Sequence, residues 1–308
     1  MTDDVLERVR ATSLLAPGEP VLVLLSGGRD SVCLLDVAVQ LSGRGSVRAL
    51  HVNYGLRGGA SDGDETACRE LCARLEVPLE VRTAQRPADA PGNLQAWARD
   101  VRYAAATRAT SAAAQIAAAH TQTDQVETIL YRLAASPGRR ALLGMEPRAG
   151  KLIRPLLGVT REETAAWCRA RGLAWREDAS NDDEAFARTR VRAGLVPALR
   201  EVHPQAEVNV VRTAELLREE AAVLDEVVGT ALAGRDHIAL DQLGRLPDAL
   251  ARLVVRRLAE DATGRPGARA AARLHDILAL DPADAALDLG DGARALVRDG
   301  TLRLARTP

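Results

Sequence analysis

Lysine is nearly missing from this 308-residue chain: Lys151 is the only one, against many arginines. Aromatic residues make up 2% of it, with three Trp, three Tyr and a single Phe. Together with abundant alanine this reads as the base composition of the gene, not as a function, and it weakens any argument from helix propensity. Cysteine is scarce too. Cys33, Cys68, Cys72 and Cys168 include no C-x-x-C pair, and Cys68 and Cys72, one helical turn apart, suit packing on one helix face better than redox or metal chemistry. A reducing cytoplasm is the compartment this usage predicts. The acidic start, Met1-Thr2-Asp3-Asp4, lacks the apolar core of a signal peptide, and no long uncharged apolar run suggests a membrane span. A formal net charge of -1 gives no global sign of a nucleic-acid partner.

What is present starts with Ser26-Gly27-Gly28-Arg29-Asp30-Ser31. These six residues follow the apolar run Val21 to Leu25 and precede the helical pattern Val32 to Val37. A strand, a Gly-rich turn and a helix start make a phosphate cradle, because unpaired N–H groups and the helix dipole favour an anion there. Ser26 and Ser31 offer further hydroxyl donors. The Walker lysine is missing, so this is not a standard P-loop. Asp30 would repel a bare phosphate, which makes sense if a Mg²⁺ ion lies between them.

Strands and helices alternate over the first two thirds. Val47 to Val52 and Leu79 to Arg82 read as strands, Glu65 to Leu75 and Pro91 to Ala109 as helices. The alanine-rich stretch from Ala104 is read as a helix through about Ala114 followed by a short strand, Gln115 to Ala119. Such alternation implies a parallel sheet covered on both faces, with ligands at the carboxyl ends of its strands. His51 to Arg57 lies at such an end. Further on, His120, Asp124, Glu127 and Thr128 have the i, i+3, i+4 spacing of one helix face. Two carboxylates and an imidazole facing a cleft could hold Mg²⁺, orient an amine or take its proton. Between Arg132 and Arg154 six cations face one acid, Glu146, in a segment that Ser136-Pro137-Gly138 marks as a loop, and Arg188, Arg190, Arg192 and Arg200 form a second basic run.

SGGRDS is similar to the signature of the PP-loop ATP pyrophosphatases, which split ATP between its α and β phosphates. In order along the chain, SGGRDS, HVNYGLR, NLQAWARDVRY, AHTQTDQVET, RPLL and WREDASNDDEAFARTRVR resemble the tRNA(Ile)-lysidine synthetases. The resemblance is continuous from about Val21 to Arg200. It implies an α/β fold, a Rossmann-like parallel sheet of the adenine nucleotide alpha hydrolase-like type, over residues 1–200. A smaller, mostly helical C-terminal domain that binds tRNA would fill 201–308 and end in a small β meander, as in the compact members. It implies ligation of L-lysine to C2 of the wobble cytidine in the CAU anticodon of tRNA(Ile), through an adenylylated tRNA, with ATP and Mg²⁺. The residues so implicated are Ser26, Gly27, Gly28, Arg29, Asp30, Ser31 and His51 for ATP, with Asp30 on the metal. Arg99, Arg102, Asp124 and Glu127 would take lysine; Asp30, Asp124 and Glu127 would be catalytic; Arg139, Arg140, Arg188, Arg190 and Arg192 would meet tRNA. A homodimer is left open.

Departures from the family pattern are visible. Thr121 and Thr123 stand where a second histidine and a first aspartate are usual, Tyr54 replaces a histidine, and Gln95 a glutamate. Two other readings stay on the table: a tRNA thiolase of the same superfamily, and a silent tRNA-binding homologue. Beyond His203, the stretches Glu207 to Gly229, Asp241 to Glu260 and Ala268 to Leu280 read as helices, and two Asp-Gly turns separate three short alternating runs near the end.

Overall fold

The computed structural model describes residues 2–56, 58–87, 93–111, 114–135, 138–176, 187–265 and 267–307. They form two compact units, Met1–Leu217 and Arg218–Pro308. The division falls later than the boundary at 200 that the motifs suggest.

In the first unit, helix α1 (Thr2–Ala11) leads to β1 (Val21–Leu24), α2 (Arg29–Ser42), β2 (Val47–Asn53), α3 (Gly59–Leu75), β3 (Leu79–Thr83), α4 (Leu94–Ala109) and β4 (Gln115–Ala117). Then come α5 (Gln122–Ala135), the single turn α6 (Arg139–Leu142), β5 (Arg148–Ala149), β6 (Leu152–Ile153) and α7 (Arg161–Ala170). After the undescribed residues the chain continues as α8 (Ala187–Arg190), a π-helical turn (Val191–Leu195), α9 (Val196–Val202) and α10 (Ala206–Leu232), whose residues from Arg218 onward count with the second unit. The expected helix from Pro91 begins at Leu94, where Asn93 caps it by accepting from Ala96 N; Pro91 itself lies outside the described residues. The expected break in the alanine-rich stretch is real, but the helix already stops at Ala109.

The sheet runs β3-β2-β1-β4-β6-β5. Every pairing is parallel except the β5–β6 hairpin. A strand covered on both faces has no polar side to show, so Val21-Leu22-Val23-Leu24 is a continuous apolar run and wholly buried. Alternation still sorts its residues. Val21 and Val23 pack into a core shared with α1, α2, α3 and α7, whereas Leu22 and Leu24 face Ala105 and Ala106 of α4. Chain order reverses between β1 and β4: the chain moves outward through β2 and β3, then returns to the other side of β1. That crevice, at the carboxyl ends of the strands, is where an open α/β sheet binds ligands.

The second unit has its own core. It contains β7 (His237–Ala239), α11 (Leu240–Arg245), α12 (Asp248–Thr263), α13 (Ala268–Ala272), α14 (Leu274–Leu278) and the strands β8 (Asp284–Gly290), β9 (Ala293–Arg298) and β10 (Thr301–Arg306). The sheet order is β7-β10-β9-β8. Both Asp-Gly pairs turn as expected: Asp291, Gly292, Asp299 and Gly300 all have positive φ, the requirement of a tight hairpin. The stretch from Asp241 to Glu260 is two helices, because Pro247 drives Leu246 into an extended conformation (ψ 149).

Candidate active site

The turn after β1 is a loop folded on its own hydroxyls. Gly27 has φ +86, a conformation that favours glycine, and a Cβ there would sit 3.3 Å from the Cys68 sulfur. Gly28 is the N-cap of α2. Ser31 Oγ donates to Gly28 O at 2.8 Å and lies 3.0 Å from Ser26 Oγ, which accepts from Gly28 N at 3.3 Å. The two serines therefore shape the turn first. What faces outward is the helix N-terminus, whose first N–H groups have no partner within the helix. Arg176 N donates to Gly27 O at 3.0 Å and fastens a neighbouring segment to the loop.

His51, on β2, is buried. Its Nδ1 lies 2.9 Å from Leu25 O, a bond that fixes that nitrogen as the donor. Its Nε2 is then an acceptor, and it is buried without a partner beside the turn. Both features line one cavity of about 600 Å³, together with Asn53, Tyr54, Arg102, Tyr103, His120, Asp124, Arg161, Trp175, Arg176 and Arg192. The cavity lies at the reversal between β1 and β4.

Of the arginines on α4, Arg102 lines this cavity. Arg99 is exposed and stands over the Tyr103 ring, 4.9 Å from its centroid. Among the described residues, the Arg102 Nε is buried without a hydrogen-bond partner.

α5 starts at Gln122, so His120 precedes the helix and does not share its face. Thr121 and Asp124 close a reciprocal cap: Thr121 N and Oγ1 both donate to Asp124 Oδ2, at 2.8 and 2.9 Å. Thr121 thus fixes the rotamer of Asp124. Burial alone would raise the Asp124 carboxyl, but the Arg161 guanidinium and the Thr121 bonds hold it below its ordinary value. His120 is pushed down to about 4, by burial first and by the cations Arg154, Arg102 and Arg99, against the pull of Asp124. It is neutral at physiological pH.

Glu127 is not open to the cavity. Its side chain is 3% exposed and takes a fork from Arg192, Nε to Oε1 at 2.6 Å and Nη2 to Oε2 at 3.2 Å. Arg192, grouped by sequence with the tRNA contacts, therefore belongs to the cavity wall. Asp30 is also crowded. Its Oδ1 accepts from Thr164 Oγ1 at 2.5 Å and from Arg29 Nε at 3.2 Å. Arg161, which no motif pointed to, lies 3.6 Å from Asp30 Oδ2, 2.9 Å from Asp124 Oδ1 and 3.8 Å from Glu127 Oε1. Local sequence still explains its placement. The Arg154–Leu157 turn buries Leu156, Gln122 N donates to Val159 O at 2.8 Å, and the Thr160–Glu163 capping box opens α7 beside α5.

Among the described residues no group of three or more His, Cys, Asp or Glu side chains is poised around one point. Magnesium is commonly held by one or two carboxylates plus the substrate's phosphates. Asp30, beside the anion-binding turn, fits that pattern.

The basic segment between Arg132 and Arg154 is mostly occupied internally. Arg132 donates to Gly144 O, Arg148 to Gln115, Lys151 to Ser111 O and the buried Arg154 to Glu146 O. Arg139 and Arg140 stand on α6, a helical turn where a loop was expected; Ser136 and Pro137 lie outside the described residues. So do Asp178, Ser180 and Asn181, and the side chain of Arg188.

A PP-loop domain model matches residues 4–199. The tRNA(Ile)-lysidine synthase of Symbiobacterium thermophilum is 38% identical over 100% of this chain and 69% of its own length. The chain belongs to the tRNA(Ile)-lysidine synthase family. The synthase of Geobacter sulfurreducens is 39% identical over 83% of this chain and that of Thermus thermophilus 38% over 94%, covering 58% and 57% of those proteins. The chain thus spans between half and two thirds of the length of most of these relatives. Among solved structures, the U34-tRNA thiolase NcsA of Methanococcus maripaludis, with its [4Fe-4S] cluster, superposes with a TM-score of 0.58 at 17% identity, over 70% of this chain and 79% of that one. That likeness shows the shared PP-loop fold.

Proposed function

We propose that this chain joins the side-chain amine of L-lysine to C2 of the wobble cytidine in the CAU anticodon of tRNA(Ile). One observation carries the reading: in a member of this family, a single cavity joins the anion-binding turn to Arg102, His120, Asp124 and Arg192. A nucleotide and an amine would then meet in one place.

Two steps follow. The C2 carbonyl oxygen attacks the α-phosphorus of ATP, and the bond to pyrophosphate breaks. The N-terminus of α2 holds the phosphates, and His51 Nε2 accepts a hydrogen bond from the nucleotide. Asp30 would hold a magnesium ion, which would supply charge neutralisation of the phosphates. Next the lysine ammonium gives a proton to Asp124, which the Thr121 cap aims. The freed nitrogen bonds to C2, and the C2–O bond breaks with its electron pair leaving on AMP. A second amine proton passes to solvent. Arg102, whose Nε has no hydrogen-bond partner, receives the α-carboxylate of lysine. Glu127 orients this wall through Arg192. Arg139, Arg140, Arg188 and Arg190 contact the tRNA backbone, the second unit also binds tRNA, and the reaction belongs to the cytoplasm.

The thiolase reading has little to use. All four cysteines are buried, and burial pushes Cys68 up to about 12 and Cys72 up to about 11, so neither is a ready thiolate. The order of events gives the test. With ATP labelled at the α-phosphate and lysine left out, label should pass to CAU tRNA(Ile), and later lysine should release it as AMP. Label that reaches tRNA only when lysine is already present would count against a two-step reaction.

A further inference from the structure

Arg161 touches every carboxylate that the reaction would use, and its backbone is fixed from several sides. The Thr160–Glu163 capping box sets the start of α7, Arg8 grips Glu163 at 2.5 Å, and Arg161 N points to Thr123 Oγ1 at 3.5 Å. Among the described residues, its side chain hydrogen-bonds to Asp124, while the Nε toward Asp30 is buried and makes no hydrogen bond. The guanidinium is therefore a permanent positive charge, since arginine does not give up its proton, and it is shared among three acids.

The other charges around it matter as much. Asp30 and Arg29 come from α2, His120 from the β4–α5 connection, Asp124 and Glu127 from α5, Arg192 from the π-helical turn and Arg102 from α4. Asp64 and Arg176, also on the cavity wall, pair with each other at 2.5 Å. With His120 neutral, three carboxylates are matched by Arg29, Arg102, Arg161 and Arg192. The arginines therefore offset the carboxylates at this cavity.

Lysine would arrive as an ammonium with an ordinary pKa near ~10.4. Bare carboxylates would hold that ion strongly and make it harder to deprotonate, because an opposite charge favours the charged form. Stabilising the bound ion in this way slows the step that follows.

We propose that Arg161 is a positioning residue of the amine step: as shared counter-ion of Asp30, Asp124 and Glu127 it keeps them aligned, and it limits how tightly they hold the lysine ammonium. This rests on the reading that the cavity takes lysine. The test is single-turnover transfer from preformed adenylylated tRNA by the full chain, with L-lysine and with S-(2-aminoethyl)-L-cysteine, whose amine is less basic. Arg161→Gln should lower the limiting rate at neutral pH by about tenfold or more, the scale of a lost proton-transfer contribution. The half-saturating lysine concentration should stay the same or fall. The loss should shrink with the less basic amine and at higher pH, and Arg161→Lys, which keeps the charge, should recover most of the rate. A raised half-saturating concentration with an unchanged limiting rate, or equal losses for both amines, would overturn the proposal. Should Arg161→Gln not fold, any loss in Arg161→Lys must be smaller for the less basic amine, and an equal loss overturns it. A wild-type chain that makes adenylylated tRNA and transfers neither amine sinks the functional reading itself, and the proposal with it.

Discussion

The two units differ in what they bury. Among the described residues, every buried polar or charged side chain lies in the first unit, among them Asp36, His51, Asn53, Gln125, Glu127, Arg154 and Thr164. The second unit buries Val254, Val255, Leu243, Ile277, Val297 and Leu302 and no polar side chain. Burying a polar group costs free energy unless it is paired, so a region that does it repeatedly has another requirement to meet. Some of the first unit's polar groups are structural: Asp36 takes Trp167 Nε1 at 2.9 Å and Arg171 Nε at 3.0 Å, joining α2 to α7. Among the described residues, single atoms of the first unit such as His51 Nε2, His120 Nδ1 and Arg102 Nε are buried without hydrogen-bond partners. These three residues line the one cavity at the turn after β1, where a bound ligand would supply the missing partners.

Substitutions can break that contrast. The largest effect is expected from Arg192→Ala. It leaves Glu127 buried with only Arg161, 3.8 Å away, and should cost roughly 3–5 kcal/mol, as for other broken buried pairs. Denaturant unfolding measures it, and an unchanged midpoint would mean that water already reaches Glu127. Leu302→Ala, in the apolar core of the second unit, should cost about 2–5 kcal/mol by transfer and cavity formation, and nucleotide binding should survive it. If ATP affinity falls alongside stability, the units are not independent in function. Asp30→Ala should preserve the fold and slow adenylylation by about 10²-fold or more, the scale on which charge-stabilising groups act. Pyrophosphate release at the wild-type rate would refute it.

A smaller effect concerns pH. His120 is held near 4 in the native chain, whereas an unfolded chain titrates near ~6.5. Between those values the unfolded state binds the extra proton, so stability falls as pH drops from about 6.5 to about 4 and this contribution is flat below that. His120→Asn should flatten that part of the stability curve, read by unfolding at several pH values. An unchanged slope would place the titration elsewhere. Least of all, Arg245→Ala removes an exposed pair with Asp241 and should change stability by no more than about 0.5 kcal/mol.

The parts of this architecture that local pattern controls were readable in the chain. A fully apolar β1, a glycine forced to positive φ and a helix start can be recognised from Val21 to Ser31 without any distant contact. The Asp-Gly hairpins are of the same kind. The Pro247 break was also legible, since proline restricts the residue before it, but the helical pattern from Asp241 to Glu260 obscures it. Three-residue β7 has too little sequence to announce itself; only its pairing with β10 defines it. The site divides along the same line. Helical spacing puts Asp124 and Glu127 together, but it does not reveal that Arg192, far along the chain, closes over one of them. The capping box before α7 is visible as Thr160-Arg161-Glu162-Glu163, yet nothing local tells where the Arg161 guanidinium ends.

The central claim is that this cavity attaches lysine to a cytidine. Mass analysis of the wobble nucleoside tests it most directly, after incubating the full chain with ATP, L-lysine and unmodified CAU tRNA(Ile). The account predicts a cytidine in which the C2 oxygen has been replaced by the side-chain nitrogen of lysine, formed only when ATP is present. A nucleoside carrying sulfur in place of oxygen, or an unchanged cytidine after ATP has been consumed, would contradict it.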